Sequence, residues 1–83
     1  MRILYFAWIR QKIGRASDEL ELPVGITTVG ELIGYLAGMD SGCAQAFMRP
    51  DLVRVAIDQV FCDHDAQLSG AKEIAFFPPV TGG

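Results

Sequence analysis

The side chains able to do chemistry in this 83-residue chain are few and scattered. The single histidine, His64, stands between Asp63 and Asp65. Such a trio could supply a general base or metal ligands. Side chains adjacent in sequence do not converge on one ion, however, so the segment is expected to be a solvated loop and no metal site is expected. Cys43 and Cys62 have no metal-ligand spacing and are expected to be reduced and partly buried. Ser17, Ser41 and Ser69 fall among turn residues and suit turns and caps. Asp18, Glu19 and Glu21 suit an exposed strand face. No glycine pattern follows a strand in the way a phosphate-binding loop requires. Catalysis needs a nucleophile, acid–base groups or a metal in mutual reach. Nothing in this inventory supplies that, and no bound cofactor is expected.

The C-terminal segment is different. After the strand-like Glu73-Ile74-Ala75-Phe76-Phe77 the chain reads Pro78-Pro79-Val80-Thr81-Gly82-Gly83. No side chain in this tail is charged. The two prolines favour an extended, stiff backbone. Gly82 and Gly83 lack a Cβ, so a terminal carboxylate can pass a channel too narrow for other residues. Fully extended, the tail reaches roughly 20 Å. These are the properties of an arm that carries the α-carboxylate of Gly83 into another protein's active site. Domain ends are often small and loose, and Gly-Gly alone would mean little. A diproline behind a strand, in a chain without other chemistry, makes the arm the better explanation.

The elements that must hold this arm follow from periodicity. Arg2–Ile9 reads as a strand, rich in β-branched and aromatic residues. Its apolar residues fall on both faces, with Ile3, Tyr5, Ala7 and Ile9 opposite Leu4, Phe6 and Trp8. Gln11–Ser17, around Gly14, reads as a hairpin connection to a short strand at Glu19–Leu22. Thr28 and Glu31 form a capping box. Val29, Leu32, Ile33 and Leu36 then mark one face of a helix that Gly38 ends. The spacing of Gly30 and Gly34 suggests close packing of this helix on a sheet. A short helix is expected at Ala44–Met48. Val53–Asp58 reads as a strand with Val53, Val55 and Ile57 inward and Arg54, Ala56 and Asp58 outward. Asp58-Gln59 turns into a short strand at Val60–Cys62, a loop covers Asp63–Gly70, and Glu73–Phe77 is the last strand. This order predicts an α+β fold of the ubiquitin-like β-grasp type: a mixed sheet with one main helix packed on one face. Residues 1–77 form the domain and 78–83 the flexible tail.

Composition narrows the function further. The net charge is −3, and the seven basic residues are scattered, which disfavours nucleic acid. No apolar run approaches the ~20 residues that span a bilayer, and no export signal is present, so a cytoplasmic location is expected.

The segment Ile74–Gly83, "IAFFPPVTGG", closely resembles the ending of the small subunits of molybdopterin synthase, the sulfur carriers of molybdenum cofactor synthesis. The start "YFAWIR" followed by Gly14, and Leu68 and Gly70 before the last strand, are similar as well. Asp58 departs from the family's usual Asn. Gly70-Ala71-Lys72-Glu73 departs from its usual Gly-Asp-Glu.

The resemblance implies that an ATP-dependent adenylyltransferase activates Gly83 as an acyl-adenylate. A sulfur donor protein then makes the thiocarboxylate. Pro78, Pro79, Val80, Thr81 and Gly82 insert into the large synthase subunit, where the sulfur is delivered to cyclic pyranopterin monophosphate, within a heterotetrameric complex. Catalytic groups would belong to the large subunit. A carrier for thiamine or tRNA thiolation, a ubiquitin-like modifier and a non-covalent interaction module are the alternatives. Because one helix covers one sheet face, part of the second apolar set should stay open. Phe6, Phe61 and Phe77 are expected there, and the resemblance implies a partner contact near them.

Overall fold

The computed structural model describes residues 1–79. Five strands form one mixed sheet in the order β2-β1-β5-β3-β4, where β1 is Arg2–Tyr5, β2 Ser17–Glu19, β3 Arg54–Ile57, β4 Val60–Cys62 and β5 Glu73–Phe77. β1 and β5 run parallel at the centre, and the other three pairings are antiparallel. The strand that leads into the tail is therefore the middle strand, paired on both sides.

Between strands the chain forms three helices: α1 (Ala7–Ile13), α2 (Val29–Ala37) and α3 (Ser41–Ala46). A 3-10 turn follows at Pro50–Leu52. The capping box of α2 forms as its sequence dictates: Thr28 Oγ1 accepts the Glu31 N–H at 3.2 Å, and the Glu31 carboxylate accepts the Thr28 N–H at 3.0 Å. Its apolar face, Val29, Leu32, Ile33 and Leu36, is buried. That face joins Ile3, Tyr5, Val55, Ile74 and Phe76 of the sheet and Ile9, Ile13, Cys43, Ala46 and Phe47 of the other helical segments in one core. Phe47 meets Phe76 edge-on at 5.2 Å. Among the described residues no helix is long and apolar enough to cross a membrane.

Several expectations need correction. The first strand does not run to Ile9. Ala7 has φ +53°, a left-handed conformation that ends the ladder after Tyr5 and starts α1. Ile9 and Ile13, four residues apart, then bury on one face of that helix. Gly14, at φ +86°, is the left-handed C-cap of α1 and not a hairpin turn. β1 and β2 still pair, but through a helical connection. β2 covers Ser17–Glu19 and stops before Leu20 and Leu22, which are partly buried beside the core. α3 begins at Ser41, three residues earlier than expected, because the Asp40 carboxylate caps it by accepting the Cys43 N–H at 2.8 Å.

Gly30 and Gly34 do not face the sheet. A Cβ on Gly30 would meet only His64, its carbonyl oxygen at 3.5 Å and its Cβ at 4.0 Å, and one on Gly34 would meet open space. The close approach is instead at Gly42, where a Cβ would stand 2.6 Å from the Lys12 carbonyl oxygen. That contact lets the start of α3 lie against the end of α1. Ala56 faces outward by register but is 5% exposed, set between Ala75 and Phe61 on the neighbouring strands.

Candidate functional site

Side chains alternate across a strand, so the residues between the core positions build the opposite face of the sheet. On β1, β3 and β5 these are Leu4, Ala56, Ala75 and Phe77, which alternate with the buried Ile3, Tyr5, Val55, Ile74 and Phe76. Phe6 continues the β1 alternation: its backbone is extended, and its N–H donates to the Phe76 carbonyl at 3.1 Å. Phe61 on β4 lies opposite Ala56. Its ring lies 5.5 Å from that of Phe77. Phe6 is 47% and Phe61 78% exposed, while Phe77 is half-buried. The three aromatic residues thus lie on one open face at the end of β5 where the tail begins. Arg54, opposite Phe77, borders a small recess of about 240 Å³ with Phe61, Phe77 and Cys62.

The root of the tail is held firmly. β5 has a full antiparallel register with β3, from Arg54↔Phe77 to Ile57↔Ile74. The hairpin β3–β4 turns on Asp58 and Gln59, both with positive φ (+47° and +71°), the geometry of a two-residue primed turn. The Asp58 side chain accepts the N–H groups of Lys72 at 3.1 Å and Glu73 at 2.9 Å, and its own N–H donates to the Glu73 carbonyl. The two departures noted in the sequence, Asp58 and the segment Gly70-Ala71-Lys72-Glu73, therefore meet each other. Pro78 and Pro79 follow as half-buried residues. Val80, Thr81, Gly82 and Gly83 lie outside the described residues.

The remaining candidates turn out to be structural. His64 is not a freely solvated side chain. Its Nε2 lies 2.8 Å from the Val53 carbonyl, to which it must donate, and its own carbonyl accepts the Gly30 N–H at 2.9 Å. It ties the loop to β3 and α2. Among the described residues no group of three His, Cys, Asp or Glu side chains could hold a metal ion. Cys62 is half-buried and Cys43 buried; both are free thiols, and burial pushes both up in pKa.

Asp18 is not part of a bare exposed strand face. Its carboxylate accepts the hydroxyl of the buried Tyr5 at 2.8 Å and pairs with the Arg15 guanidinium at 2.8 Å. Arg15 also reaches Asp40 at 3.2 Å and the Cys43 sulfur at 3.5 Å. The Arg15 hydrogen bond, aided by Tyr5, holds Asp18 below the usual carboxylate range. Burial, then Asp18, keeps the Tyr5 phenol protonated far above its ordinary range. This network clips β1, β2 and the two short helices together. It escapes a sequence reading because its bonded partners lie up to 28 residues apart.

Relatives cover the whole chain. A curated molybdopterin synthase sulfur carrier subunit from Escherichia coli is 34% identical over 83 residues, covering 100% of this chain and 99% of its own. The subunit of the same name from Haemophilus influenzae is 35% identical over the same span. Among solved structures, SAMP1 from Haloferax volcanii matches with a TM-score of 0.72 at 23% identity, covering 100% of this chain and 98% of that one. A Pyrococcus furiosus protein described as molybdopterin converting factor, subunit 1, matches at 0.67 and 24% identity, covering 95% of each. These two establish the likeness of fold. The ThiS family profile matches residues 3–83, and the chain belongs to the ThiS family, with molybdopterin synthase sulfur carrier subunits among its full-length relatives.

Proposed function

We propose that this protein is the sulfur carrier subunit of a cytoplasmic molybdopterin synthase and that its working group is the α-carboxylate of Gly83. The observation that carries the proposal is full-length similarity to subunits of that name. The fold is consistent with it. The central strand β5 leads to the tail beside an open aromatic face.

In this mechanism the Gly83 carboxylate attacks the α-phosphate of ATP on a partner adenylyltransferase and releases pyrophosphate. The acyl-adenylate is the better electrophile. Sulfide-level sulfur from a sulfur donor protein displaces AMP and leaves a thiocarboxylate. The tail then enters the large synthase subunit, where the thiocarboxylate sulfur is transferred to cyclic pyranopterin monophosphate, and the Gly83 carboxylate is restored by hydrolysis. Each carrier brings one sulfur, so a dithiolene needs two deliveries. ATP is consumed by the partner, and the carrier itself binds no cofactor. Phe6, Phe61 and Phe77 serve as the docking surface for the large subunit. Pro78 to Gly82 thread the channel.

Intact mass spectrometry of the protein from its native cell tests this. A sulfur-for-oxygen exchange at the terminus supports the carrier. A lysine-linked adduct would instead identify a modifier, and an unmodified terminus an interaction module.

A further inference from the structure

The opposite, helical side of the molecule holds a second apolar depression. A groove of about 520 Å³ opens between α1, α3 and the 3-10 turn. Trp8, Ala46, Met48 and Leu52 supply its apolar surface, with Lys12 and Arg49 at its margin. Met48 is 71% exposed. An exposed methionine beside a half-buried tryptophan is an adaptable apolar surface of the kind that accepts a partner side chain.

The charge around the groove is opposite in sign to that of the molecule. The chain carries −3 overall, yet no acidic side chain lines the groove. Lys12 has no ion-pair partner among the described residues, while Arg49 is paired with Asp51 at 2.9 Å. α1 contains Arg10 and Lys12 in its last turn and no acid. The groove is also close to the working end of the molecule. Leu52 at its wall is two residues before Arg54, which pairs with Phe77 at the root of the tail. Its lining nevertheless comes from α1, α3 and the segment that follows α3, and includes none of Phe6, Phe61 and Phe77.

We propose that this groove docks an acidic amphipathic helix of a partner protein, with apolar side chains seated against Trp8, Met48 and Leu52 and Asp or Glu residues facing Lys12 and Arg49. A helix laid in a groove is a recurrent recognition mode. The complementary charges set which helix is accepted.

The test uses the full chain, ¹⁵N-labelled, and two synthetic helical peptides of about 14 residues, ~21 Å long. Both carry Leu at i, i+3, i+4 and i+7. One has Glu at the remaining positions and the other Lys. The Glu peptide is expected to shift the amides of Lys12, Met48 and Leu52 and the Trp8 indole, and to bind about tenfold more tightly than the Lys peptide. The exposed pair Lys12→Glu/Arg49→Glu should invert that preference, Lys12→Gln/Arg49→Gln should abolish it, and Met48→Ser should weaken the Glu peptide. Equal binding of the two peptides overturns the proposal. So does a preference that survives charge reversal, shifts confined to Phe6, Phe61 and Phe77, or concentration-dependent self-association that covers the groove.

Discussion

The carboxylate of Asp58 accepts the backbone N–H of Glu73, fifteen residues later, at 2.9 Å. One side chain thereby fixes both the β3–β4 turn and the start of the strand that carries the tail. Asp58→Ala removes an acceptor for two N–H groups and is expected to destabilise the protein by about 1–2 kcal/mol. Asp58→Asn retains one acceptor oxygen and should cost less. Urea denaturation of the three proteins decides the matter, and an alanine variant as stable as the parent would show that water replaces the carboxylate without loss.

The open aromatic face makes a different prediction. Phe61 is 78% exposed, so Phe61→Ser should leave the denaturation midpoint almost unchanged. If the face docks the large subunit, the same change should weaken that complex by about 2 kcal/mol, roughly 30-fold, as for a buried aromatic anchor. Titration calorimetry of parent and variant against the large subunit measures this. A loss of stability with unchanged affinity would assign Phe61 to the fold alone.

Asp18 gives the stability a pH dependence of defined sign. Its folded pKa lies below its unfolded value, chiefly through the Arg15 hydrogen bond. The stabilisation is therefore fully present above the unfolded value of about 4 and is lost as pH falls through the folded pKa. Asp18→Asn should cost about 1–2 kcal/mol at neutral pH, with the difference from the parent shrinking below about pH 4. Thermal melts between neutral and strongly acid pH test this, and a constant difference across the range would remove the charge from the explanation.

Much of this architecture is legible in the sequence where the signal is local. Thr28 and Glu31 are three residues apart, and the helix they cap begins where their spacing says. Val53, Val55 and Ile57 alternate cleanly, and Pro78 ends β5. The residues that mislead are those whose role depends on distant parts of the chain. Ile3 to Ile9 is a continuous apolar run, and only the left-handed Ala7 divides it into a strand and a helix. Gly42 appears unremarkable until Lys12 is folded against it. Asp18 looks solvated until Tyr5 and Arg15 reach it. The aromatic face is legible because apolar residues fall on both faces of the first strand, more than a core on one side of the sheet can bury. The helical groove was not, since it needs α1, which the sequence pattern hid.

The central claim is that the α-carboxylate of Gly83 is the reactive group, so its position matters as much as its identity. Gly82→Val should impair transfer, because a branched side chain must pass a channel shaped for bare backbone. A conservative change at Thr81 should matter less. The most direct measurement compares the parent chain with one extended by a single alanine after Gly83. Both are incubated with the adenylyltransferase, ATP and a sulfur donor, then with the large subunit and the pterin precursor. The parent is predicted to acquire a thiocarboxylate and support product formation. The extended chain, equally stable, is predicted to do neither. Product formed at the normal rate by an untrimmed extended chain would contradict the account.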